Sequence, residues 1–84
     1  MEEKVGVVKQ FFVKPGVAAL EITDGSLKTG DTIHFKGHTT DFEEAVSSMQ
    51  VDHNPVEAAN VGDLVGIKVK ERVRTNDQVY KIID

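Results

Sequence analysis

Hydrophobic side chains in this chain alternate with polar ones, and Gly, Asp or Asn interrupts the alternation at short intervals. That is the period of half-buried β-strands and not of an amphipathic helix. Residues 4–13, KVGVVKQFFV, are rich in Val and Phe, with Val5 and Val7 facing one way. Lys14-Pro15-Gly16 then predicts a turn, because Pro presets its own φ and Gly accepts angles that other residues avoid. In residues 17–23, Ala18, Leu20 and Ile22 share a face, opposite Glu21 and Thr23. Asp24-Gly25 is a strong turn signal. Residues 31–36 set Ile33 and Phe35 against Thr32, His34 and Lys36, and residues 62–70 align Val65, Ile67 and Val69. The last strand is expected over 77–83.

Residues 40–51 are less clear. Phe42, Val46 and Met49 fit a helix by spacing, but Thr39, Thr40, Val46 and Val51 favour a strand with a bulge. Residues 54–60 read as a connection with a turn of helix. Together these segments predict one all-β domain over 1–84, with about six short strands in a small closed antiparallel barrel.

Three of the breaks share a form. Gly30-Asp31, Gly62-Asp63 and Asn76-Asp77 each precede an apolar residue two positions after the Asp: Ile33, Val65 and Val79. Gly, and next Asn, supplies positive φ, and the following carboxylate accepts hydrogen bonds from nearby backbone N–H groups. These six residues are therefore read as structural turns that start strands, with no catalytic role for the Asp side chains.

Composition narrows the function. The chain has 84 residues, no cysteine, and a net charge of −4 from 10 basic and 14 acidic side chains. Without thiols there are no disulfides or thiolate metal sites, which suits a cytoplasmic protein. The start, MEEKVGVVK, lacks the basic and apolar regions of a signal peptide, and no apolar run approaches a bilayer span. No membrane association is expected. The acidic balance argues against strong non-specific nucleic-acid binding, while leaving room for a local basic face.

No GxxxxGK[ST] or GxGxxG occurs, so no nucleotide cofactor is expected. The histidines, His34, His38 and His53, lack metal-binding spacing and read as exposed polar-face or loop residues, although His38, Asp41 and His53 are candidates to converge. No metal, cofactor or catalytic residue is expected. Ser26, Ser47 and Ser48 lie outside any GxSxG context, and the adjacent Glu43 and Glu44 point to opposite faces of a strand. The organised charge feature is KVKERVR, residues 68–74. On an extended chain Lys68, Lys70, Arg72 and Arg74 share one face along about 20 Å, and such a stripe either tracks a phosphate backbone or is simply the solvated side of a strand. One of Phe11 and Phe12 points outward, as a candidate for stacking or as an ordinary surface ring.

The order of VGVVKQFF, VAALEITDGSLKTGDTIHFKG and AVSSMQVDHNPVEAANVGDLVGIKV resembles the second-domain β-barrel of translational GTPases, the family of elongation factor Tu and initiation factor two. The likeness extends to short free-standing elongation-factor-like proteins made of this barrel alone, and a similar barrel is appended to some collagenase-like peptidases and RNA-modifying proteins. The resemblance implies a closed six-stranded barrel. The expected function is a non-enzymatic module that contacts RNA, the ribosome or the translation machinery through Lys68, Lys70, Arg72, Arg74 and Phe12, with Lys9 and Lys14 as further candidates. The alternative is an accessory protein–protein interaction barrel that docks on an enzyme or on itself through a strand edge or Phe11 and Phe12.

Overall fold

In the computed structural model, which describes residues 1–83, every regular element is a β-strand. The ten strands are β1 (Glu2–Phe12), β2 (Val17–Ile22), β3 (Ser26–Lys28), β4 (Thr32–Lys36), β5 (Asp41–Ala45), β6 (Met49–Val51), β7 (Asn54–Val56), β8 (Ala58–Asn60), β9 (Leu64–Lys68) and β10 (Gln78–Ile82). Eight of them form one antiparallel sheet in the order β5-β4-β10-β1-β2-β9-β6-β7, and β3 pairs with β8 alone. The all-β class is as expected; the closed six-stranded barrel is not. Among the described residues no ladder joins β5 to β7, so the sheet keeps two edges.

Alternation places the core. Ala18, Leu20 and Ile22 of β2 are fully buried and lie beside Val65 and Ile67 of β9, with Leu20 opposite Val65 and Ala18 opposite Ile67. Ile33 and Phe35 of β4 face the same interior, where Phe35 lies opposite Val79 of β10. Leu27 and Ala59, opposite each other in the β3–β8 pair, close over this core. Burying a Leu, Ile or Phe side chain stabilises the fold by about 1.5–3 kcal/mol each, so this one cluster dominates the energetics.

β1 departs from the simple pattern. Its register shifts between Lys4 and Gly6 against β10 and between Val8 and Gln10 against β2. Each extra residue reverses the faces beyond it, so Val5 and Val8 are buried in place of the expected pair Val5 and Val7.

Residues 40–51 form neither a helix nor one bulged strand. β5 pairs with β4, the chain leaves the sheet at Val46, and β6 pairs with β9 near the other end. Residues 54–60 contain two short strands instead of a helical turn. β6 turns into β7 through Asp52 and His53 at φ 53° and 65°, the two consecutive positive angles of a tight hairpin. Backbone bonds tie the β3–β4 turn to these segments: Gly30 N–H donates to Val46 O (2.9 Å), Val46 N–H to Asp31 O (2.8 Å) and Thr29 N–H to Glu57 O (3.0 Å).

Candidate functional site

The three Asp-containing breaks share one geometry. Asp31 N–H donates to Lys28 O (3.1 Å), Asp63 N–H to Asn60 O (2.9 Å) and Asp77 N–H to Arg74 O (3.0 Å). The third residue of each turn, Gly30, Gly62 or Asn76, has φ of 94°, 96° or 77°, the signature of a type II turn. Each carboxylate reaches back to the first residue: Lys28 N–H donates to Asp31 (3.0 Å), Asn60 N–H to Asp63 (2.8 Å) and Arg74 N–H to Asp77 (2.8 Å). These oxygens are engaged by backbone amides at the entries of β4, β9 and β10.

The basic segment is not a strand face. β9 ends at Lys68, and residues 69–77 leave the sheet. Val69 and Val73 are buried and pin the segment, but the intervening inward position is Glu71, which is exposed. Extended pairing ends where that alternation fails. Lys68, Lys70, Arg72 and Arg74 are all exposed, yet Lys70 N–H donates to Glu44 Oε1 (2.8 Å) and Arg74 Nε–H to Thr39 Oγ1 (2.9 Å), which bend the segment along the β4–β5 side. Lys9 pairs with Glu21 at 3.3 Å.

Phe12 lies at the end of β1 with 43 % of its surface exposed, while Phe11 packs on the core. Phe12 forms one wall of a groove of about 430 Å³. Its floor is the outer face of β2 and β9, where Ala19 lies opposite Gly66 beside Val17. Those two small residues leave a trough between bulkier neighbours. Pro15 and the 55 % exposed Leu64 continue the apolar rim, and Gln50, Asp52 and His53 supply the polar one. This is a concave, mainly apolar surface with no lysine or arginine in its lining, suited to a protein side chain or an extended polypeptide.

On the outer face of the sheet, His34 is not the exposed residue expected: only 9 % of its surface is accessible. Its Nδ1–H donates to Glu2 Oε2 of β1 (2.6 Å) and its Nε2–H to Asp41 Oδ1 of β5 (2.5 Å). Ionised carboxylates only accept, so this arrangement favours the protonated ring, which donates from both nitrogens. The bond to Asp41, then that to Glu2, raises its pKa above the usual 6.5, and burial opposes the shift. Lys36 lies 3.9 Å from Glu2 and over the Tyr80 ring, and Glu43 lies opposite His34 in the β4–β5 register. Among the described residues, Glu2, His34 and Glu43 bring their ligand atoms within 4.8 Å of one another. The expected candidates His38 and His53 are exposed and lie outside this group. No sequence spacing signals the cluster, because its members come from three strands. With both ring nitrogens occupied by carboxylates, His34 is not placed to activate a serine.

No family model matches the chain. It is 45 % identical over 78 residues to an uncharacterized protease of Methanocaldococcus jannaschii, a match covering 92 % of this chain and 19 % of the relative. It is 37 % identical over 78 residues to a collagenase of Porphyromonas gingivalis, covering 92 % of this chain and 22 % of that one. The chain thus spans about a fifth of the length of these relatives. Two crystal structures of the C-terminal domain of a Geobacillus thermoleovorans protein assigned to the U32 peptidases share its fold, at TM-scores of 0.89 and 0.86 and 21 % identity. They cover 96 % and 92 % of this chain, which covers 93 % and 96 % of theirs.

These findings overturn the translation-factor resemblance and the RNA-contact function it implied. The relatives are a protease and collagenases, and the matching folds come from a peptidase C-terminal domain. LKTGD and NVGDLVGI, which carried the resemblance, spell two of the type II turns and the starts of β4 and β9. Such turns impose the same residues on any antiparallel domain that uses them, so they report backbone geometry more than descent. Among the described residues no helix is long and apolar enough to cross a membrane.

Proposed function

We propose that this chain is a non-catalytic accessory domain of a U32-type peptidase, acting by contact with the enzyme body. The observation that carries this reading is the 45 % identity to one-fifth of a protease: nearly all of this chain corresponds to a small part of a larger enzyme. The engagement of the turn carboxylates by backbone amides and of His34 by two carboxylates supports a non-catalytic role. The groove walled by Phe12 and Leu64 is the contact surface, because it joins exposed apolar side chains to a concave floor.

The test replaces the matching segment of the M. jannaschii relative with this chain and compares the chimera with a deletion of that segment. The chimera is expected to keep the assembly and activity of the parent, and the deletion to lose them. The chain alone is expected to leave casein and gelatin uncut. Cleavage by the chain alone, or a deletion indistinguishable from the parent, overturns the reading.

A further inference from the structure

We propose that Glu2, His34 and Glu43 form a binding site for a divalent transition-metal ion of the zinc class. The inference is independent of the accessory-domain reading. The three donors stand on β1, β4 and β5, and their ligand atoms already lie within 4.8 Å of one another. A tetrahedral zinc shell, with bonds of about 2.0–2.2 Å, needs donors roughly 3.3–3.6 Å apart. Rotation of the exposed Glu43 side chain brings in the third donor, and Nδ1 and Glu2 Oε2, now 2.6 Å apart, separate by roughly 0.7–1.0 Å to admit the ion.

Two features set this group apart from ordinary surface acids. The imidazole is nine-tenths buried and its Nε2–H is held by Asp41, so the ring presents Nδ1 to Glu2 in a fixed orientation. That is the arrangement in which a metal-bound histidine donates its far nitrogen to a carboxylate. Three carboxylates also gather around one ring. Glu2, Asp41 and Glu43 surround the imidazole; Lys36 lies 3.9 Å from Glu2, and Lys4 stands in the same cross-strand row beyond Tyr80. A divalent ion that replaces the proton between Nδ1 and Glu2 adds positive charge among these carboxylates. One imidazole with two carboxylates suits zinc and its neighbours, whereas calcium and magnesium prefer oxygen alone. Three protein donors leave a fourth position for water, and the ion links the start of β1 to the sheet edge at β5.

The experiment titrates zinc chloride into the chain at mildly alkaline pH, followed by calorimetry and by the ring resonances of the three histidines, with calcium chloride as the control. The expected result is one saturable zinc per chain, perturbation of His34, and no comparable calcium binding. Glu43→Gln removes a donor that neither ring nitrogen bonds, so it leaves the Glu2–His34–Asp41 contacts in place; it is expected to weaken zinc about ten-fold or more. Glu44→Gln, whose carboxylate serves Lys70 N–H, is expected to bind as the parent does. No saturable zinc, or equal affinity in Glu43→Gln, overturns the proposal, as does binding that perturbs only His38 and His53.

Discussion

The Asp77 carboxylate occupies the space that a side chain on residue 37 would need: a Cβ built on Gly37 runs into Asp77 Oδ1. Asp77 is 5 % exposed and accepts from Arg74 N–H, so it has no free direction in which to retreat. The β4 end and the β10 start are locked by one small residue and one buried acid. Gly37→Ala should destabilise the fold by about 2–3 kcal/mol, combining overpacking with a disturbed buried hydrogen bond. Urea unfolding measures it. In Gly37→Ala/Asp77→Ala the two costs should be less than additive, because the clash partner is gone; strict additivity would refute the contact.

Gly30 and Gly62 isolate backbone strain from crowding. Nothing lies within 4 Å of a Cβ at either position, yet both have φ near 95°. Alanine there should cost about 1–2 kcal/mol from conformation alone. Asn76→Gly, at φ 77°, should change stability by less than about 0.5 kcal/mol, since Asn already tolerates the left-handed region. Thermal melts of the three variants decide this.

His34 makes stability depend on pH in a stated direction. Its folded-state pKa lies above 6.5 because Asp41 and Glu2 accept from both ring nitrogens. The unfolded chain loses that proton first as pH rises. The contribution is therefore complete below about 6.5 and is lost as pH climbs through the raised folded-state value. His34→Gln should flatten this alkaline decline in melting temperature. A parent whose stability rises between neutral and mildly alkaline pH, with a flat His34→Gln profile, would contradict the sign.

Phe35 and Phe12 should separate folding from contact. Phe35 is fully buried and stacks on Phe42 with ring centroids 5.0 Å apart. Phe35→Ala should cost about 3–5 kcal/mol. Phe12→Ser, at the groove wall, should cost less than about 1 kcal/mol while weakening assembly in the chimera described above. Unfolding curves and size-exclusion profiles measured on the same samples test both halves.

Much of the framework was legible in order along the chain. The alternation in 17–22, 32–36 and 64–68 specifies which side chains enter the core, since strand period assigns faces without knowledge of partners. Gly30-Asp31, Gly62-Asp63 and Asn76-Asp77 name their own turns, because the positive φ and the back-reaching carboxylate are local properties. Strands of three residues, such as β3, β6, β7 and β8, are too short to show a period, and the Asp52-His53 hairpin lacks the usual glycine. One bulge in β1 falls at Gly6, where a Cβ would run into Glu21 O, but a lone Gly within a strand does not say which partner shifts its register.

Local pattern thus determined the β class, the inner faces of the long strands and the turns that launch β4, β9 and β10. Tertiary structure alone decided that the sheet keeps two edges, that residues 69–77 leave the sheet after Lys68, and that Glu2, His34 and Glu43 meet. Short-range sterics and hydrogen bonds act between neighbours along the chain and can be read there. Pairing between distant strands depends on which register buries the most apolar surface at once, and that is a property of the whole molecule.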